Sequence, residues 1–324
     1  MSTFTITRAG RAWHFVGAFG IDSVMVGVRY PISLDVAADG HVFVLSRGMP
    51  TVDGDGVGGR GKLGKWIIDG TLIGDYARME FEWPVALAIA ADGNVFCSDE
   101  FGNFVAAYSP DGPFYDFPEY NPDGEHLLKW GETGSAPGQL DGPSGLAFDS
   151  EDNLYVVDSR NHRVQKFTKD GRYLDGWGGY GSSDGQFAKP WGVTVDREGN
   201  VYVADWGNGR VQKLDPDGEF LMSFGSDHES GGDLDHPADV AVDSDGDVYV
   251  ADWGNKRVQI YEPDGEIIGA LHGNATAVFD RVVQGAFQLN EESMKAHVRI
   301  EHGPLLGRFD RPVGVTVDSD DTLY

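Results

Sequence analysis

The feature that most constrains the fold of this chain is a motif that occurs six times along it. Each copy has a proline, a short apolar run, a polar turn and a second apolar run. The prolines lie 47 to 75 residues apart, at Pro31, Pro84, Pro143, Pro190, Pro237 and Pro312. A repeat of this length indicates that one small unit is stacked several times on a shared core.

The fourth copy shows the content of the unit most clearly. Its apolar runs cover residues 192–195, 201–203, 211–214 and 220–224, and polar turns separate them. The runs are rich in β-branched and aromatic residues, which favours strands, so the unit is predicted to be a four-stranded antiparallel meander. Such a unit cannot bury both of its faces alone, and a copy of 47 residues suits one blade of a β-propeller.

A polar pattern, Asp-x-x-Asn-x-Arg-x-Gln, follows the second run in three of the copies. Its members are Asp158, Asn161, Arg163 and Gln165; Asp205, Asn208, Arg210 and Gln212; and Asp252, Asn255, Arg257 and Gln259. The second copy keeps Asp99 and Asn103 but has Val105 in place of the arginine. With the Pro-x-Gly and Gly-Asn-Val-Tyr-Val segments, this pattern resembles the NHL repeat family of β-propellers.

The resemblance implies a propeller fold and, more distantly, a similarity to the propellers of peptidyl-α-hydroxyglycine amidating lyases. Those lyases hold zinc with three histidines from different blades, a set that this sequence does not match. Because the four polar residues recur in at least three copies, we expect them to tie the hairpins together by charge-assisted hydrogen bonds. A single catalytic site would not need several copies.

Residue counting predicts one domain, residues 1–324, with six blades. The stretch before Pro31 and the stretch from Pro312 to Tyr324 together amount to about one copy. Residues 4–7 and 13–20 are then expected to supply the third and fourth strands that the sixth copy lacks. The predicted fold is all-β: a six-bladed propeller of four-stranded antiparallel blades whose last blade is closed by both termini.

Two departures from the repeat are predicted on one face of the ring, the top face, where each first strand begins and the channel mouth opens. One is a glycine-rich loop over residues 47–65, and the other is an insertion over residues 269–310. The insertion has apolar residues at helical spacing, at Val278, Phe279, Val282, Val283 and Phe287. We expect a partly helical lid over the mouth; the alternative is a surface plug on blade six.

Charge limits the possible partners. The 324 residues carry 25 basic and 52 acidic side chains, for a net charge of −27. Nucleic acid and anionic membranes are therefore not expected as partners, because both require a basic face. The single cysteine, Cys97, forms no intramolecular disulfide, and neither a signal peptide nor a membrane span is visible, so a cytoplasmic location is expected.

Residues that differ between copies at the start of the first strand are candidates for ligand binding. Tyr30, Trp83, Gly142, Lys189, His236 and Arg311 precede the six prolines. Asp35, Trp191 and Asp239 are further departures just after the prolines. Asp35, Trp83, Lys189, Trp191 and Asp239 are predicted to bind a polar small molecule or a peptide. The alternative is that these side chains only pack between blades.

Metal-assisted chemistry is a further expectation at the same mouth. His236 stands at a mouth position, and His272 and His302 lie in the insertion. With Asp239 nearby, these histidines are candidate ligands for a divalent metal, zinc or calcium. Tyr30 and Arg311 are the candidate catalytic residues, as proton donor or oxyanion partner.

Two functions remain open on the sequence. The first is an enzyme, a metal-assisted lyase or hydrolase with a lidded pocket, and it is favoured because a scaffold gains little from a covered channel. The second is a non-catalytic scaffold that offers the rigid faces of the propeller to a protein partner.

Overall fold

The computed structural model describes residues 5–8, 11–14, 31–47, 61–67, 71–76, 81–112, 126–225, 232–272 and 311–324. Before residue 31, the described backbone forms one antiparallel hairpin, β1 (Thr5–Arg8) and β2 (Arg11–His14), with Thr5 opposite His14. No helix in these ranges has the length and apolar character needed to cross a lipid bilayer.

Five four-stranded antiparallel sheets follow, each formed by strands that are consecutive in sequence. Blade one comprises β3 (Pro31–Val36), β4 (His41–Ser46), β5 (Lys62–Ile67) and β6 (Leu72–Tyr76). Blade two comprises β7 (Pro84–Ile89), β8 (Val95–Asp99), β9 (Phe104–Tyr108) and β10 (Leu128–Trp130). Blade three comprises β11 (Pro143–Phe148), β12 (Asn153–Asp158), β13 (Arg163–Thr168) and β14 (Tyr173–Gly178).

The last two of these blades have the same order. Blade four comprises β15 (Val193–Val195), β16 (Val201–Asp205), β17 (Arg210–Leu214) and β18 (Phe220–Phe224). Blade five comprises β19 (Pro237–Val242), β20 (Val248–Asp252), β21 (Arg257–Tyr261) and β22 (Ile267–Leu271). The first strands of neighbouring blades contact one another, so they are the inner strands of the ring.

Local chemistry explains why each repeat forms its hairpins. In blade four, the carboxylate of Asp196 accepts the backbone N–H groups of Glu198 at 3.1 Å and Asn200 at 2.8 Å. Gly199 adopts φ +87°, which a residue without a Cβ reaches at little cost. The turn then delivers β16, whose five residues are all buried because a strand lies on each side of it and a blade covers each face.

The hydrophobic core lies between blades rather than within them. Four clusters join neighbouring blades in order from one to five; the first, for example, packs Phe43 and Leu45 of blade one against Phe81 and Leu87 on the blade-two side. This radial packing confirms the predicted propeller, and the structure shows five blades of four strands in the described residues.

The final segment, residues 311–324, lies between blades five and one. Val315 packs with the core of blade five, whereas Tyr324 packs against the blade-one cluster of Val42, Val44 and Trp66. Within the segment, Val317 and Leu323 form an antiparallel bridge, which corresponds to the first hairpin of a blade. A sixth complete blade is not among the described sheets, and β1 and β2 pair with each other there as a separate two-stranded sheet.

The predicted start of the insertion at residue 269 is wrong. Gly269, Ala270 and Leu271 belong to β22 and pair with Ile260, Gln259 and Val258. Blade five needs these residues to complete its fourth strand. The proposed helical lid and most of the glycine-rich loop lie outside the described residues.

Candidate functional site

The recurring polar pattern has a structural role. In blade three, one oxygen of the buried Asp158 accepts hydrogen bonds from Asn161 at 2.9 Å, Arg163 at 2.8 Å and Gln165 at 3.0 Å. Arg163 also donates to three backbone carbonyls of the loop 135–139 that enters the blade. Blades four and five repeat the bonds of asparagine and arginine to the aspartate. The prediction that this pattern ties hairpins into the ring is confirmed.

The residues just before the inner strands have an unusual backbone. Lys189, His236 and Arg311 have φ of +52°, +55° and +66°, and Gly142 has +67° at the same position of blade three. Positive φ is easy for glycine and costs free energy for other residues. The three side chains are exposed on the top face. Blades four and five and the final segment thus keep a side chain where glycine would be less strained, a feature typical of functional positions.

Three partly buried tryptophans lie next to these residues and form what we call the tryptophan cluster: Trp191, Trp206 and Trp253. The ring centroid of Trp206 is 5.8 Å from that of Trp191 and 5.2 Å from that of Trp253. His236 contacts Trp206 edge-on at 5.0 Å, and the guanidinium of Arg311 lies 4.6 Å from the ring centre of Trp253. The cluster is therefore continuous from blade four through blade five to the final segment.

Two cations beside the tryptophan cluster make no ion pair with any described residue: Lys189 and Arg311. Four of the eight arginines whose side chains the structure describes do the opposite; Arg163, for example, lies 2.8 Å from a carboxylate oxygen of Asp158. In a chain of net charge −27, carboxylates are abundant. A cation of this kind can form charge-assisted hydrogen bonds with an anionic group of a ligand.

Trp83, a predicted ligand residue, lies in another sector of the top face. Its ring is 47% exposed and packs under the guanidinium of Arg47 at 4.4 Å. Arg47 also donates to the carbonyl oxygen of Pro84 at 3.0 Å. The structure therefore places Trp83 in a cation–π pair of blades one and two, apart from the tryptophan cluster.

Asp35 and Asp239 line the inner wall of the ring. Asp35 accepts the backbone N–H of Ile89 at 3.1 Å, and Asp239 accepts that of Val315 at 3.1 Å, so each carboxylate links two inner strands. Burial raises the pKa of Asp35 to about 6 and that of Asp239 to about 7, and the charge of Asp35 adds to the second shift. Both side chains keep partial exposure on the inner wall.

The predicted metal site is not assembled in the described part of the chain. Tyr30 and His302 lie outside it, and His272 is exposed just after β22. The described residues contain no group of three or more His, Cys, Asp or Glu side chains placed to hold a metal ion. Around the ring of His236, the described neighbours are the carboxylate of Asp235 and the indole rings of Trp206 and Trp253.

Sequence reasoning missed three residues of the site: Trp206, Trp253 and Asp235. Both tryptophans follow the buried aspartate at the end of a second strand and belong to the repeated segment Asp-Trp-Gly-Asn. That repetition made them look like part of the structural pattern. The sequence nevertheless indicated that these tryptophans could belong to the site. The loop between the second and third strands lies on the same face as the start of the inner strand, because Pro237 pairs with Asp252.

Comparison with known proteins agrees with this architecture. The NHL repeat family model matches residues 234–261, and the model of the SMP-30/gluconolactonase/LRE-like region matches residues 136–227. These matches confirm the predicted resemblance to NHL-type propellers. No curated protein matches the sequence.

Solved structures show the same fold at low sequence identity. A Bacteroides thetaiotaomicron protein of unknown function is 16% identical with a TM-score of 0.60, over 97% of this chain and 76% of the other. A streptogramin B lyase is 12% identical with a TM-score of 0.53, over 94% and 92% of the two chains. A functionally unknown protein from Desulfotomaculum acetoxidans is 13% identical with a TM-score of 0.51, over 83% and 77%. Such identities establish the fold alone.

Proposed function

We propose that this propeller binds a small molecule or peptide on the tryptophan cluster at the top-face channel mouth. The observation that carries the proposal is the contact of three tryptophan rings with one another and with Arg311, at 4.6 to 5.8 Å. Partly exposed indole rings give large, rigid apolar contact area at little entropic cost. The expected ligand therefore has a flat apolar part.

The same ligand is expected to carry a negative charge. Lys189 and Arg311 flank the cluster without an ion pair among the described residues. The net charge of −27 repels anions at long range, so an anionic ligand needs local cations to be held. An aromatic carboxylate is the simplest compound with both properties.

The reaction we propose is hydrolysis or elimination. The matched family model carries the name of gluconolactonase, and one solved neighbour of the fold is a streptogramin B lyase. The metal-assisted form of this reaction would need His302, outside the described residues, together with His236 and His272. Metal analysis of protein purified without chelator tests that form, and the absence of stoichiometric metal would exclude it.

Ligand binding is testable by tryptophan fluorescence with indole-3-acetate and, as a neutral probe, indole-3-acetamide. The acetate is expected to bind more tightly. Trp253→Leu and Arg311→Gln should each weaken its binding about tenfold, because they remove the ring contact and the charge. Trp83→Leu is the matched control, since it removes a cation–π pair in another sector. Equal loss with the control, or no preference for the acetate, would refute the proposal.

A protein-binding scaffold is the second candidate. It is favoured by two aromatic side chains that are strongly exposed in top-face loops, Tyr180 at 76% and Phe101 at 68%. Capture of one stoichiometric partner that is lost in Tyr180→Ser and Phe101→Ser, but kept in Trp253→Leu, would support the scaffold over the ligand site.

We also propose that the ring has six blades, with residues 4–20 completing the sixth. The position of residues 311–324 between blades five and one supports this closure. Deletion of residues 1–20 should then lower the free energy of unfolding, because it leaves an inner hairpin without its outer strands. An unchanged stability would contradict the closure.

A further inference from the structure

The dipeptide Asp235-His236 departs from the repeat in a way that the binding proposal does not use. The corresponding pairs are Glu82-Trp83, Asp141-Gly142 and Ala188-Lys189 in blades two to four. Only blade five places a histidine directly after an aspartate at this position. The pair lies beside the tryptophan cluster and is accessible, with the side chain of Asp235 54% exposed and that of His236 48% exposed.

The carboxylate fixes the protonation pattern of the imidazole. Nδ1 of His236 is 2.5 Å from Oδ1 of Asp235. Because a carboxylate only accepts hydrogen bonds, Nδ1 carries the proton, and Nε2 of the neutral ring keeps a free lone pair. The ring is also held between Trp206 at 5.0 Å and Trp253 at 6.2 Å.

Asp235 is in turn held by the backbone of blade five. Its N–H donates to the buried carboxylate of Asp252 at 2.8 Å, and its carbonyl accepts the N–H of Gly254 at 2.7 Å. Its carboxyl group lies directly against Gly254, where an added Cβ would come within 2.2 Å of Oδ2. The backbone of Asp235 is thus held in place, with its carboxylate beside Gly254.

A second histidine of the top face, His162, shows the opposite arrangement. It also has a positive φ, +58°, and its ring lies 4.9 Å from that of Tyr180. However, its Nδ1 accepts the backbone N–H of Lys189 at 3.0 Å. The proton of the neutral ring therefore resides on Nε2, and no lone pair remains for a ligand. The two histidines thus differ in the partner of Nδ1, and from this follows the expected difference in tautomer; His162 is also less exposed than His236.

We infer that His236 is the general base of this site, with Asp235 as the residue that positions it, and that the substrate is a carbonyl compound such as an ester; this inference rests on the proposed function. Nε2 takes a proton from water while the water oxygen bonds to the carbonyl carbon and the C=O π electrons move to oxygen. When the intermediate collapses, the bond to the alcohol oxygen breaks and that oxygen receives the proton from Nε2. The products are the acid and the alcohol, and neither an oxidant nor a reductant is required.

The role of general base differs from the role of metal ligand that the sequence predicted for His236. A histidine that binds a metal also often donates Nδ1–H to a carboxylate, so the Asp235 contact alone fits both roles. Besides Asp235, the described neighbours of the ring are indoles, and no three ligating side chains converge among the described residues. Metal analysis of protein purified without chelator distinguishes the two roles, because the general base requires no metal.

The tautomers can be measured without knowledge of the substrate. The nitrogen NMR shifts of the imidazoles, assigned with His236→Gln and His162→Gln, should show the Nδ1–H form for His236 and the Nε2–H form for His162. Diethyl pyrocarbonate should modify His236 about tenfold faster than His162, because only His236 has a free lone pair. In Asp235→Asn, the amide no longer requires Nδ1–H, so a mixture of both forms is expected at unchanged thermal stability. An Nε2–H form of His236 in the unmodified protein would overturn the inference.

Activity is tested with para-nitrophenyl acetate as the probe. The unmodified protein should hydrolyse it faster than buffer, and His236→Gln should lose about 100-fold of the enzymatic rate, within the range of general base catalysis. His162→Gln should keep the rate. If indole-3-acetate binds normally but His236→Gln hydrolyses the ester as fast as the unmodified protein, the general base is refuted and the binding proposal stands.

Discussion

Blades three and five carry the same top-face hairpin loop, yet only the loop of blade five belongs to the proposed site. In both blades, a buried aspartate at the end of the second strand holds an asparagine and an arginine. The next residue is Ser159 in blade three but Trp253 in blade five, and the residue before the inner-strand proline is Gly142 or His236. The repeat thus fixes the loop backbone and leaves two positions free to carry a ligand site.

Arg160 and Arg311 also differ in whether a carboxylate of the fold pairs with their charge. Arg160 of blade three lies 2.9 Å from Glu100 and 3.3 Å from Asp141, so its charge is used within the fold. Arg311 lies on Trp253 and has no ion pair among the described residues. The comparison teaches that one top-face cation can be paired within the fold while another lies on an aromatic ring with no carboxylate partner among the described residues.

The largest effect on stability is expected from the buried aspartate that blades three and five share. Asp158→Ala in blade three and Asp252→Ala in blade five each leave a buried arginine–asparagine network without its acceptor, which typically costs about 3–5 kcal/mol. Urea denaturation should show a similar loss for both. If the free energy of unfolding falls by less than about 1 kcal/mol in either blade, the hydrogen-bond network around this aspartate does not stabilise the propeller.

The next effect concerns the inner strands, where blade five has Asp239 and blade three has Gly145. Burial raises the pKa of Asp239 to about 7, so the folded state binds this proton more tightly than the unfolded state. The protonated form therefore stabilises the fold at low pH, and this stability is lost as pH rises toward and through 7. Asp239→Asn should raise the free energy of unfolding by roughly 2–4 kcal/mol at pH 8 and change it little near pH 4.

Denaturation curves at both pH values check this sign. The matched control is Asp217→Asn in an exposed turn of blade four, which should leave stability nearly unchanged at either pH. If Asp239→Asn destabilises the protein at pH 8, the carboxylate is needed in its ionised form as the acceptor for Val315.

A smaller effect is expected from the backbone before the inner strand. Gly142→Ala in blade three should cost about 1 kcal/mol because φ is +67° and the new Cβ would lie 3.0 Å from Arg160. His236→Gly in blade five should instead stabilise the fold by about 0.5–1 kcal/mol while removing the proposed base. If Gly142→Ala lowers the melting temperature and His236→Gly raises it, the strained backbone at His236 is retained for function. A lower melting temperature for His236→Gly would argue that the histidine is structural.

The smallest effect is expected from the exposed cations. Arg160→Gln should change stability by less than about 1 kcal/mol, as surface ion pairs usually do. It should also leave binding of indole-3-acetate unchanged, in contrast to Arg311→Gln. Weaker binding in Arg160→Gln would extend the ligand site to blade three and remove the contrast between the two regions.

Much of the fold was predictable from the copies themselves. Strand-forming runs and aspartate–glycine turns recur, so the four-stranded blade and the tie around Asp158 followed from local patterns. The start of the insertion did not follow, because pairing of Gly269 and Leu271 with β21 depends on contacts across the blade. For the site, Trp191, Lys189 and Arg311 were found as departures from the repeat. Trp206 and Trp253 were missed because they repeat.

The sequence by itself determined the repeating unit, the face on which the variable residues lie and the acidic character of the chain, since each depends on local order along the chain. The tertiary structure decided which variable residues meet. Trp83 and Trp253 both lie on the top face, but the structure pairs one with Arg47 and the other with Arg311. It also decided which group faces each Nδ1 of His162 and His236, because that partner is set by the three-dimensional packing of the loops around it.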